Sequence, residues 1–187
     1  MTTKKLLSIL LSFPAAVVIY IILHESGHAM VALLAGSSIT EFSILHAHVS
    51  YSGGQYSDFM IMLREAGGLL LPILVSLICM IIYNEKISGK IFHMLYILIC
   101  FMPVGSLWVW MVIPVLYVRG EAPAGDDVTK FLDVFTWYGN PAFVSIAALA
   151  LFFVCMLLAF GKGIFQSSLS LFRDPEDRSA MPGQMNV

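Results

Sequence analysis

His24-Glu25-Ser26-Gly27-His28 is the stretch of this chain whose residue types and spacing encode a reaction. On a helix, residues four apart share a face, so two imidazoles at this spacing reach a single metal ion. Glu25 is offset around the same turn. From there a carboxylate meets a water on the ion rather than the ion itself, and takes its proton as the water attacks a carbonyl. The pattern therefore reads ligand, base, ligand. A bare five-residue pattern of this kind also arises by chance on soluble surface helices. Here it interrupts an apolar run, where ionisable side chains are costly unless partnered and mark function by default.

Two histidines are too few, because catalytic zinc takes about three protein ligands and keeps a position for water. Gly125-Asp126-Asp127 supplies two carboxylates at the start of an amphipathic stretch. Asp127 is assigned as the metal ligand and Asp126 as the cap of the helix that follows, with Asp126 left open as the alternative ligand. His46 and His48, two apart on a strand, face one side and have the chemistry to bind metal, although loop histidines are ordinarily solvated. Arg64 and Glu65 either pair or anchor a span at the interface, and Arg64 is also placed to steady an oxyanion. Gly67 and Gly68, with Gly27, suit a close approach of two membrane helices. His93 is given no chemistry. Cys79, Cys100 and Cys155 lie inside apolar runs without the paired spacing of a zinc knuckle or redox motif.

The elements that must position these residues are membrane helices. The chain is 59% hydrophobic and 12% charged, well to the apolar side of soluble domains. Its apolar runs predict an all-α polytopic membrane protein with spans over residues 6–35, 59–83, 91–118 and 141–161. Pro14 is expected to kink the first span, and Pro103 and Pro114 the third. The first run is too long for a secretory signal and has no small-residue cleavage site, so it reads as a retained helix. Residues 39–56 alternate apolar and polar and end in Ser52-Gly53-Gly54, which predicts a short β-hairpin. A short interfacial helix is expected over 128–138. Residues 1–172 read as one domain, and 173–187 as a disordered tail.

Formal net charge is −2 without a basic tract, so no nucleic-acid partner is indicated. Lys4, Lys5, Lys86, Lys90, Lys162, Arg173 and Arg178 sort to one side of the spans and Arg64, Arg119 and Lys130 to the other. That bias predicts cytoplasmic termini and a site toward the opposite face.

Together, His24-Glu25-Ser26-Gly27-His28-Ala29 in a first hydrophobic helix resembles the site-2 protease family of intramembrane zinc metalloproteases, in particular small bacterial members without a PDZ domain. Ala66-Gly67-Gly68-Leu69-Leu70-Leu71-Pro72 looks like that family's glycine-rich second core helix, and the 39–56 hairpin takes the place of its substrate-aligning one. The chain departs from the pattern in having Gly125-Asp126-Asp127 where the family has an Asp-Gly pair, without a preceding Asn-Pro. The resemblance implies Zn2+ held by His24, His28 and a distant aspartate, carried onto Asp127, with Glu25 activating the water. It implies a bacterial cell membrane and membrane-protein substrates cleaved in or near their transmembrane segments. Two other functions are weighed: a metal-transporting or metal-responsive membrane protein, and a catalytically silent relative that binds membrane proteins. Sparse ionisable residues in the other spans disfavour transport, and retention of Glu25 disfavours silence.

Overall fold

Each apolar run folds as a single long helix in the computed structural model, which describes residues 3–84 and 90–172. These are α1 (Thr3–Leu34), α2 (Asp58–Ile82), α3 (Lys90–Val118) and α5 (Ala142–Gly161). All four are long and apolar enough to cross a membrane, and the chain is a multi-pass membrane protein. Pro14, Pro103 and Pro114, the expected kink positions, lie inside helices that run on through them. The 173–187 tail lies outside the described residues.

Polar side chains within the spans tie the helices together. Ser12 Oγ donates to Ile91 O at 3.0 Å, Ser76 Oγ to Cys100 O at 2.5 Å, Tyr96 OH to Cys79 O at 2.6 Å and Ser145 Oγ to Met111 O at 2.8 Å. Each joins two helices through a main-chain carbonyl, which satisfies a hydroxyl that hydrocarbon would leave bare. Apolar packing fills the rest: Leu69, Ile73 and Met80 of α2 meet Cys100, Val104 and Leu107 of α3, with Ala148 and Cys155 of α5 behind them. Two of the three cysteines are thus fully buried core residues, and Cys79 is half-buried.

A two-stranded antiparallel hairpin joins α1 to α2, formed by β1 (Ser37–Ser43) and β2 (His48–Gly53). Its register pairs Ile39 with Tyr51 and Glu41 with Ser50, so Thr40 is the extra residue of a bulge. The base is fastened to the end of α1: Gln55 N–H donates to Ala35 O at 2.9 Å, and Ser37 Oγ donates to Gly53 O at 3.0 Å and bonds Tyr56 OH at 2.5 Å. At ~3.3 Å per residue, β2 spans about 17–20 Å. Its far end, Ala47–Val49, lines the same cavity as His24 and His28. The hairpin therefore folds back along α1.

α4 (Asp127–Phe135) is held by α2 and α3 along its whole length. Its inner face buries Val128 and Leu132, four residues apart. Phe131 packs edge-on against Trp110 of α3, and Tyr117 OH donates to Asp133 Oδ1 at 2.9 Å. Beyond the helix, exposed Tyr138 donates to Asp58 Oδ2 at 2.5 Å, at the start of α2. Asp127 to Tyr138 thus runs antiparallel to the first turns of α2, and Trp137 and Tyr138 are exposed beyond the end of α4. The helix ends at Phe135 instead of the expected residue 138 because Thr136–Gly139 form a series of turns.

A sixth helix, α6 (Ile164–Phe172), has no counterpart among the expected elements. Nine residues are too few to span a bilayer. His93 Nε2 joins it to the α2–α3 end of the molecule, bonding Ser167 Oγ at 2.9 Å and Tyr83 OH at 3.0 Å.

Candidate metal centre

Three glycines make the site possible. α1 and α2 approach so closely that a Cβ on Gly27 would run into the Gly67 carbonyl, and one on Gly67 would lie 2.6 Å from the Gly27 carbonyl oxygen. One residue further on, a Cβ on Gly68 would strike both imidazoles, 2.5 Å from His24 Cε1. The bare backbone of α2 is thus the floor on which the two histidine rings rest. At ~1.5 Å per residue, His24 and His28 lie about 9–15 Å from the end of α1.

Asp127 reaches this depth because the chain turns sharply before α4. Gly125 takes φ +82°, a left-handed conformation that glycine adopts without strain. Asp126 then caps the helix, its Oδ1 accepting from Val128 N–H at 2.8 Å. The next side chain, Asp127, points into the site. His24 Nε2, His28 Nε2 and Asp127 Oδ2 form a triangle with all three edges 3.2 Å. Asp126 is thus the cap, and Asp127 is the aspartate brought to the two histidines.

The triangle fits a cation. Ligands held tetrahedrally at ~2.0–2.1 Å from an ion stand ~3.3–3.4 Å apart. The donor orientation fits as well: His28 Nδ1 sits 2.7 Å from the Arg64 carbonyl. An N–H there donates to that carbonyl and leaves the Nε2 lone pair facing His24 and Asp127. The same contacts are within hydrogen-bond reach, so the three atoms either share a proton or share a cation. The cluster can hold a metal ion, and it is the one group of three potential ligands found among the described residues. His24 is braced less fully, since its Nδ1 is buried without a hydrogen-bond partner.

Electrostatics favour an ionised Asp127. Burial acts to raise its pKa, but hydrogen bonds and attraction from His24 and His28 outweigh that, and the carboxyl is held well below the usual range. Its other oxygen, Oδ1, lies 3.8 Å from Lys130 Nζ. Lys130 went unmarked in the sequence, although its i,i+3 spacing from Asp127 was a signal that a helical reading of 127–135 would have provided.

Glu25 is 4% exposed, and its Oε1 lies 4.0 Å from His24 Nε2. It stands beside the ligand triangle and is not part of it. With Glu65, His48, Tyr51 and Lys130 it lines a polar cavity of ≈ 280 Å³ under the hairpin. His48 Nε2 bonds Ser50 Oγ and His46 Nδ1 bonds Ser43 Oγ, and neither histidine joins the cluster.

Arg64 connects hairpin and site. Its guanidinium lies 5.0 Å from the Tyr51 ring centroid and 4.8 Å from that of Tyr56, while it pairs with buried Glu65. Its main-chain carbonyl is the one that braces His28. The sequence suggested the Arg64–Glu65 pair. The tyrosine contacts depend on hairpin register and could not be read locally. No protein-family model, no curated protein and no solved structure matches this chain.

Proposed function

We propose that the chain is an intramembrane zinc metallopeptidase of the site-2 protease type, hydrolysing peptide bonds in or near transmembrane segments of membrane proteins. The observation that carries this reading is the His24–His28–Asp127 triangle with Glu25 beside it in a polar cavity. When bound there, a zinc ion supplies Lewis acidity toward a water and a peptide carbonyl. Glu25 takes the proton of the water as its oxygen adds to the carbonyl carbon. The same carboxyl returns that proton to the amine nitrogen as the C–N bond breaks. Its burial keeps bulk water from competing for the proton. Lys130 Nζ stands 3.8 Å from the other oxygen of the Asp127 carboxylate, Oδ1, a half-exposed counter-charge that contributes little to its position. An unwound substrate segment can pair with a free hairpin edge, as extended peptides do with exposed strands.

The membrane setting follows the same proposal. The lysine and arginine bias supports cytoplasmic termini with the site toward the opposite face, and the bacterial cell membrane is part of the same proposal, taken from the family resemblance. A transport function would require further ligands along a path, and the described residues hold a single cluster. A catalytically silent relative would have no use for Glu25.

The test is a comparison of wild type with Glu25→Gln in detergent, measuring bound zinc and cleavage of transmembrane peptides. Wild type should carry zinc and cleave; Glu25→Gln should carry zinc and not cleave. Equal cleavage by both would refute the mechanism, and zinc-free wild type would refute the metal.

A further inference from the structure

A second cavity of ≈ 240 Å³ abuts the site, walled by α1, α2, α3 and the start of α4. His24 and Asp127 border both cavities, whereas Glu25, Glu65 and Lys130 line only the one under the hairpin. The two spaces thus meet at the His24–Asp127 edge. Their chemistry differs: Leu69, Val109, Trp110 and Val128 give the second an apolar wall, and Tyr20, Ser106 and the helix-capping Asp126 complete its lining beside His24 and Asp127.

We propose that this second cavity is the subsite for one bulky apolar side chain next to the scissile bond, so that the substrates are segments carrying a Leu, Met or Phe-sized residue there. The proposal rests on the peptidase reading and specifies its substrate class. The size suits one side chain, being below the ~300 Å³ at which pockets for whole small molecules begin. The position suits it too, because a peptide whose carbonyl lies at the ligand triangle carries its neighbouring side chain across the His24–Asp127 edge. The walls are tied to the ligands: Leu69 directly follows Gly68, Val128 directly follows Asp127, and Trp110 is fixed edge-on against Phe131. Leu69, Trp110 and Val128 are themselves buried, so the cavity keeps its form relative to the reacting centre. Val109 is partly exposed and can be enlarged from the open side.

The experiment uses the full-length zinc-loaded protein and a set of ~20-residue apolar peptides that differ only at the residues flanking the cleaved bond. Wild type should prefer Phe or Leu over Ala at one flanking position by at least about 100-fold in kcat/KM, since a single methylene in an apolar pocket is already worth roughly 10-fold. Val109→Trp should fill the cavity and collapse that ratio to within a few-fold. If Val109→Trp loses its zinc, Val109→Leu is measured instead and should lower the ratio by about 10-fold. In parallel, binding of the same labelled peptides to Glu25→Gln is followed by fluorescence anisotropy, which needs no turnover. A side-chain preference in binding that disappears on filling the cavity, with no cleavage by wild type, would keep the subsite and sink the peptidase. Cleavage without any such preference, or with one untouched by Val109→Trp and Val109→Leu, would overturn the subsite and leave the peptidase standing. Absence of both cleavage and binding preference would overturn both.

Discussion

Gly68→Ala adds one methyl group to a membrane helix, yet on the zinc proposal it should abolish metal binding at this cluster. The new Cβ would stand 2.5 Å from His24 Cε1 and 2.8 Å from His24 Nδ1, and closer still to His28 Nε2. Non-bonded carbons settle near ~3.5 Å, so the rings must retreat by about 1 Å. α1 cannot be drawn in elsewhere to compensate, because Gly27 already lies against the Gly67 backbone. Metal–ligand distances tolerate only about ±0.2 Å, and the required retreat is several times larger. Zinc affinity should fall by at least the ~10–100-fold seen when groups around a ligand are disturbed, with an overpacking cost of ~1–3 kcal/mol in stability.

Zinc content of the purified protein, chelator competition and thermal unfolding measure these effects. Gly105→Ala is the control: it sits inside α3 with nothing within 4 Å of the added carbon, and alanine is the better helix former by ~1 kcal/mol. It should keep zinc and unfold no earlier than wild type. A Gly68→Ala protein that binds zinc as tightly as wild type would refute the inference that α2 backbone sets the positions of the two imidazoles.

Asp127→Asn should lower zinc affinity by more than ~10-fold, while Asp126→Ala should leave zinc in place and cost ~1 kcal/mol through the lost N-cap. Zinc titration with thermal unfolding separates them, and the opposite pattern would exchange the two roles. Arg64→Met leaves Glu65 buried without its counter-charge and frees Tyr51 and Tyr56, a loss of ~3–5 kcal/mol by the measure of broken buried pairs. Arg64→Lys should recover only part of it, because lysine lacks the planar group that lies over the rings. A spin label on Leu45, 95% exposed at the hairpin turn, should become more mobile in Arg64→Met; unchanged mobility would show that Arg64 does not hold the hairpin. Lys130→Met should change zinc affinity by less than about 10-fold, since half-exposed pairs contribute little, and a complete loss of zinc would contradict that placement.

How much of this was legible in the sequence follows from the range of each interaction. Four-residue spacing on one helix is local, so His24 and His28 were readable outright, and Glu25 with them. Capping is also local, so it was readable that one of two adjacent aspartates at the helix start takes the cap; which of them faces the histidines was left open between Asp127 and Asp126 and depends on the turn at Gly125. Gly67 and Gly68 marked close packing by their lack of side chains, though what they pack against comes only from the fold. Arg64 lies beyond local reach. Whether Tyr51 and Tyr56 both face it depends on the hairpin register, and the bulge at Thr40 shifts that register by a residue, which strict alternation does not anticipate. Lys130 was missed for a smaller reason: the helix starts one residue earlier than expected, which puts Lys130 one turn from Asp127.

The same contact that lets α1 and α2 cross also builds the site. Gly27 against Gly67 brings the helices together, and the next residues in each chain are His28 and Gly68, so packing and ligand placement cannot be altered separately. Arg64, three residues before Gly67, then gives its carbonyl to His28 and its side chain to the hairpin. A movement of the hairpin is therefore transmitted to α2 at the turn that braces a ligand. Asp127 is the only cluster member brought in from outside this helix pair, and its placement relies on the Gly125 turn, the Asp126 cap and α4 packed along α2. That separation makes a specific demand: variants at Gly27 or Gly67 should lose metal and stability together, whereas variants that loosen α4, such as Leu132→Ala, should lose metal while the α1–α2 crossing survives. Cysteine crosslinking between α1 and α2 one turn from the Gly27–Gly67 contact in the metal-depleted Leu132→Ala protein would distinguish the two, and loss of that crosslink would show that α4 holds the helix pair as well as the ligand.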